Sequence, residues 1–108
     1  MTRYVGVRFK IEEGYGVVFP DFPGIEGYGP NIEGISDSIR RAQGTIVSRI
    51  ADSQQGLPKP RFKKAYLDPA KEKEESQFPT LRERQKKYGL GESFYLEITE
   101  EDVLEATQ

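Results

Sequence analysis

The chain has 108 residues, of which 35% are hydrophobic and 31% charged, with a formal net charge of −2. That length suffices for one core but not two, and the lean apolar share implies that part of the chain lies outside it. The absence of cysteine excludes disulfide and thiolate chemistry, and the absence of histidine removes the commonest general base and metal ligand. No run approaches the roughly 20 apolar residues of a membrane span, so a soluble, cytoplasmic protein without cofactor or metal is expected.

Residues 4–11, "YVGVRFKI", alternate: Val5, Val7, Phe9 and Ile11 point one way, and Tyr4, Gly6, Arg8 and Lys10 the other. This pattern predicts a half-buried strand. Glu12-Glu13-Gly14 is a polar break, after which Tyr15, Val17 and Phe19 restart the period, so a hairpin is predicted. Pro20 and Pro23 then bracket Asp21 and Phe22 and stop the second strand, because proline lacks an amide hydrogen and fixes φ. Residues 25–29, "IEGYG", read as a third, weaker strand before Pro30.

Asn31 is a predicted N-cap, and Ile32, Ile35, Ile39, Ala42, Ile46 and Ile50 recur at helical steps, giving an amphipathic helix over 32–53. Gly56 and two prolines end it. Residues 61–79 include the charge run "AKEKEES" without apolar periodicity, which predicts an exposed connection. Thr80-Leu81-Arg82-Glu83 fits a capping box, and Gly89 a stop, for a short basic helix over 81–88. "SFYLEI", 93–98, reads as a fourth strand, and Thr99 caps a last helix whose first turn holds Glu100, Glu101 and Asp102 and whose buried residues are Val103 and Leu104.

Charge is segregated along this order. Residues 1–60 balance at seven basic and seven acidic side chains; 61–87 hold nine basic and five acidic; 88–108 hold six acidic and none basic. A basic stretch is followed by an acidic tail.

The stretch "GYGVVFPDFPGIEGYGPNIEGISDSIRRA" resembles the signature of HicB-type antitoxins, with matching positions Gly14, Tyr15, Phe19, Pro20, Asp21, Pro23, Gly24 and Gly29, then Ile32 and Ile35. The resemblance covers residues 3–60, with 94–98 as the family's last strand. It implies an α+β fold: a single domain over 1–108, described in the family as a partial ribonuclease H-like β-β-β-α-β layer, with a helix packed on a small, mainly antiparallel sheet. The core is then 3–60 plus strand 93–98, with a charged insertion at 61–92 and a short helix at 99–107. The family's separate C-terminal DNA-binding domain has no counterpart in these residues.

The function so implied is non-catalytic: binding and blocking a small basic toxin that cleaves RNA. The residues assigned to the partner are Asp21, Phe22, Tyr28, Arg40, Arg41, Glu100, Glu101 and Asp102, since an acidic surface suits a basic partner. A homodimer is the default for a small sheet with exposed edges. The alternative is a nucleic-acid-binding accessory or regulatory protein using the basic segment 61–87, with Arg82, Arg84, Lys86 and Lys87 gripping phosphates.

Blander roles stand beside these. The glycines of the opening stretch match neither GxGxxG before a helix nor GxxxxGK, and so read as turn residues. Asp21, between two prolines, is suited to accepting backbone amide hydrogen bonds. Tyr15, Phe19, Phe22 and Tyr28 fit a core as readily as a stacking platform. Arg40, Arg41 and the 81–88 helix also fit a solvated face.

Overall fold

The computed structural model describes residues 2–72 and 77–107; residues 73–76 of the charge run lie outside them. The elements are β1 (Thr2–Ile11), β2 (Gly14–Val18), β3 (Glu26–Gly29), α1 (Ile32–Ser53), α2 (Pro79–Tyr88), β4 (Glu92–Ile98) and α3 (Glu100–Ala106). Two short 3₁₀ turns, Lys64–Leu67 and Pro69–Lys71, lie between α1 and α2. The strands form one antiparallel sheet in the order β3-β2-β1-β4, so the architecture is α+β with helices packed on a small sheet.

The predicted hairpin is present: Ile11 pairs with Gly14 around Glu12-Glu13, and Gly14 takes a φ of 143° that a side chain would strain. β3 then adds to the outer edge of β2, with Tyr15 opposite Gly29. Asn31 caps α1 as its sequence position implies, its Oδ1 accepting from the Gly34 amide at 2.8 Å. The buried stripe of α1 runs through Ile35, Ala42, Ile46 and Ile50 and adds Val47 and Ala51. Ile32, expected in that stripe, is exposed; the covered face begins one turn later, at Ile35. Helix and edge strand are in close contact, and a Cβ at Gly29 would collide with the Ile35 backbone. The buried Ser38 Oγ accepts from the Tyr28 amide at 3.0 Å, tying α1 to β3.

The sheet is covered on both faces. Tyr4, Val17, Leu96 and Ile98 pack toward α1, while Val5, Val7, Phe9 and Val18 pack against Phe62, Phe78 and Leu81. Two sequence expectations are thereby corrected. β1 is not half-buried, since Tyr4, Val5, Gly6 and Val7 are buried in succession. Nor is the 61–79 region simply an exposed connection, because its Phe62 and Phe78, together with Leu81 of α2, form the second cover. Burying each is worth roughly 1.5–3 kcal/mol, an upper range for a compact denatured chain.

Polar anchors hold this cover. Arg82 Nη2 lies 2.7 Å from Glu72 Oε1, with side chains only 14% and 10% exposed, and also donates to the Tyr66 carbonyl. The buried Gln85 donates to the carbonyls of Leu67 and Leu90. The capping box expected at Thr80 is not formed. Pro79, whose fixed φ suits the first helical position, starts α2 two residues early, and the N-cap position is held by Phe78, whose side chain makes no capping hydrogen bond. At α3 the cap is made: Thr99 and Asp102 bond reciprocally to each other's amides at 2.8 and 3.1 Å. Val103 packs toward α1, but Leu104, expected to be buried, is 62% exposed.

Candidate partner-binding surface

The Phe-Pro-Asp-Phe-Pro-Gly turn leaves β2 and returns to β3, bounded by bonds from the Phe22 amide to the Phe19 carbonyl and from the Ile25 amide to the Phe22 carbonyl. Asp21 accepts backbone amides, as its place between two prolines suggests, but from a distant segment. Its Oδ1 receives the amides of Arg61 at 2.8 Å and Phe62 at 2.9 Å. Asp21 Oδ2 is buried without a partner among the described residues. Loss of hydration pushes the Asp21 carboxyl above the ordinary carboxylate range, against the pull of the two amides and of the Arg61 charge.

Tyr4 completes this joint. Its hydroxyl donates to the Pro58 carbonyl at 2.6 Å, and burial, with a lesser contribution from Asp21, pushes its pKa up to about 12. Phe22 packs edge-on against the Tyr4 ring, with centroids 4.9 Å apart, and is buried. The turn is therefore a clasp: it holds the chain leaving α1 at the point where Phe62 inserts beneath the sheet. Of the residues assigned to a partner from the sequence, Asp21 is bonded to the cover and Phe22 lies in the core. Sequence reasoning missed Tyr4, Pro58 and Phe62 as their counterparts. A large aromatic on the nominally polar side of β1 was the available signal.

The remaining assigned residues are divided between the layers. Tyr28 is exposed and donates its hydroxyl to the Glu13 carbonyl at 2.9 Å. Its neighbours Gly27 and Gly29 meet α1, so Tyr28 lies on the opposite face of β3. Arg40 and Arg41 are exposed on α1, Arg40 beside Asp37 at 3.4 Å. Glu100 and Glu101 are exposed on α3, which packs on α1, whereas Asp102 is engaged in the cap. The Thr99 amide and hydroxyl hold the Asp102 carboxyl below its ordinary range.

The cations assigned to nucleic acid are also redistributed. Arg82 is committed to Glu72, and Arg84 pairs with Glu26 at 2.5 Å, leaving Lys86 and Lys87 exposed. Among the described residues, no three His, Cys, Asp or Glu side chains are grouped so as to hold a metal ion. No helix there is long and apolar enough to cross a membrane.

No protein-family model matches the sequence, and no curated protein matches it. Two solved structures match its fold. One is the crystal structure of the antitoxin HicB3, at 24% identity and a TM-score of 0.57 over 91% of this chain. The other is a chain of the HicA3 and HicB3 toxin–antitoxin complex, at 24% identity and a TM-score of 0.56, again over 91% of this chain. The fold is that of a HicB-type antitoxin. The chain spans 62% of the length of the first match and 99% of the second.

Proposed function

We propose that this chain is a non-catalytic, HicB-like antitoxin that sequesters a small, basic, RNA-cleaving toxin. Beyond the fold, the observation that carries this reading is α3. Its capping box fixes it at the end of β4, and it presents Glu100, Glu101 and Glu105 beside Leu104, an exposed apolar residue flanked by acids. A seven-residue helix is too short to be stable alone, so the cap and the Val103 contact set its position before a partner arrives. The acids speed association with a basic surface, and Leu104 supplies an apolar anchor at its centre. A homodimer formed through the sheet edges, in cytoplasmic solution, belongs to the same reading.

The test is co-expression with the product of the adjacent open reading frame, which this reading expects to be a small, basic protein. Co-purification and relief of a growth arrest caused by that product are expected. Glu100→Lys with Glu101→Lys lowers affinity in a salt-sensitive way, and Leu104→Ala lowers it at all salt concentrations. Separate elution of the two proteins with undiminished arrest overturns the proposal.

A further inference from the structure

The second cover carries a cleft that the antitoxin reading leaves unused. It has a volume of about 420 Å³ and is lined by Arg61, Lys63, Tyr66, Lys71, Gln77 and Phe78, together with Glu72. Three cations therefore surround two aromatic rings. Among the described residues the only carboxylate in the lining, Glu72, is already engaged by Arg82 at 2.7 Å and by the Gln77 amide at 2.9 Å. Lys63 and Lys71 form no ion pair among the described residues, and both are exposed.

The arginine is held in place before any ligand arrives. Asp21 fixes its backbone amide, Gln77 Oε1 accepts from its Nη2 at 2.8 Å, and its guanidinium lies 5.8 Å from the Phe78 ring centroid. Such a fork is suited to phosphate because little side-chain freedom is lost on binding. Tyr66 is half-buried, braced edge-on by Phe62 at 6.1 Å and approached by the Lys63 ammonium at 6.0 Å from its centroid. Lys64 extends this pattern along the cover, lying 5.4 Å from the exposed Tyr95 ring, which Arg3, paired with Glu97 at 3.0 Å, also approaches at 5.7 Å. Aromatic rings interleaved with cations suit a chain of alternating bases and phosphates. A run of acidic residues uses the cations but offers no aromatic ring for Tyr66 to stack on.

We propose that the cleft formed by Arg61, Lys63, Tyr66 and Lys71 binds single-stranded nucleic acid, with phosphates on the three cations and a base against Tyr66. The site lies within the basic segment 61–87 already offered to nucleic acid by the sequence, but off α2, where the individual phosphate contacts were placed, and it stands independently of the toxin proposal.

The probes are fluorescein-labelled 12-mers of uridine and of deoxythymidine, titrated by anisotropy between 25 and 250 mM salt. A competing polyglutamate peptide of equal charge is included. Three phosphate contacts at about 0.7 each give a slope of roughly −2 in log K against log salt. Lys63→Glu with Lys71→Glu is expected to weaken binding more than tenfold, whereas Lys86→Glu with Lys87→Glu, on the exposed side of α2, leaves it unchanged. Tyr66→Leu, which retains the backbone carbonyl bonded by Arg82, is expected to lower affinity about tenfold with the salt slope intact. Whichever oligomer binds tighter identifies the ligand as RNA or DNA. Absence of binding at 25 mM salt, displacement by polyglutamate as effective as by the unlabelled oligomer, or equal losses from the α2 and cleft reversals each overturn the proposal.

Discussion

Asp21→Ala removes the acceptor that joins the β2–β3 turn to the amides of Arg61 and Phe62, 40 and 41 residues downstream. Two hydrogen bonds to a charged acceptor are worth together about 3–6 kcal/mol. Against this, the substitution relieves the desolvation of Oδ2, which is buried without a partner; at about 1–3 kcal/mol that offsets part of the loss. The net expectation is a loss of about 2 kcal/mol in urea unfolding at pH 7 followed by far-UV circular dichroism, with faster exchange of the Phe62 amide. The pH dependence supplies a second readout. Because the folded carboxyl titrates above its unfolded value, its contribution is fully present below the unfolded pKa and is lost as pH rises through the folded one. Asp21→Asn keeps an acceptor without a titrating charge, so its stability relative to wild type should rise with pH across that window. A change below about 0.5 kcal/mol in Asp21→Ala, with Phe62 exchange unaltered, refutes the clasp, since two lost bonds of this kind cannot be silent.

Tyr4 gives the alkaline counterpart. Its pKa is pushed up to about 12 from 10.0, so the folded state favours the neutral phenol, and stability should decline from near pH 10 with the loss complete near pH 12. The difference is on the order of 2–3 kcal/mol and should be absent from the pH profile of Tyr4→Phe. Phe62, 1% exposed and edge-on to Phe78 at 5.1 Å, tests whether the insertion is a true cover. Phe62→Ala should cost about 3–5 kcal/mol in urea unfolding and increase binding of a hydrophobic dye; a cost below 1 kcal/mol would mean that the second face closes without it.

The first sixty residues were legible because their signals are local. Period-two alternation in Val5–Ile11, the Glu12-Glu13-Gly14 break and Asn31 before a stripe of isoleucines each specify an element without reference to the rest of the chain. The same holds for Thr99 and Asp102, three residues apart. The second cover was not legible for the opposite reason. Phe62, Phe78 and Leu81 have no common period and sit among charges, and what gathers them is the far face of β1, more than fifty residues earlier. Periodicity assigns a residue to a side of its own strand but does not say whether another segment covers that side. The same boundary applies to the site residues: the partners of Asp21 and Arg82 within the chain, the Phe62 amide and Glu72, are tertiary ones without a local signal.

The charge segregation along the sequence becomes a segregation across the sheet. The acidic α3 rests on α1 on one face, and the basic 61–71 segment belongs to the cover on the other. Layers spaced about 10 Å on either side of the sheet put the two surfaces about 20 Å apart, beyond a Debye length of about 8 Å at physiological salt. Exposed charges at that separation are largely screened from one another. The overall charge of −2 thus conceals an acidic surface suited to attract a basic protein and a basic one suited to attract phosphates. Arg82 and Arg84 do not blur this division, because Glu72 and Glu26 neutralise them within the cover and at its margin. A ligand on either face leaves the potential of the other nearly unchanged, so engagement of a basic toxin by α3 and of nucleic acid by the Tyr66 cleft would not compete through charge. Any coupling between them must pass through the sheet itself, where Tyr4 touches both the first core and the chain that begins the second cover.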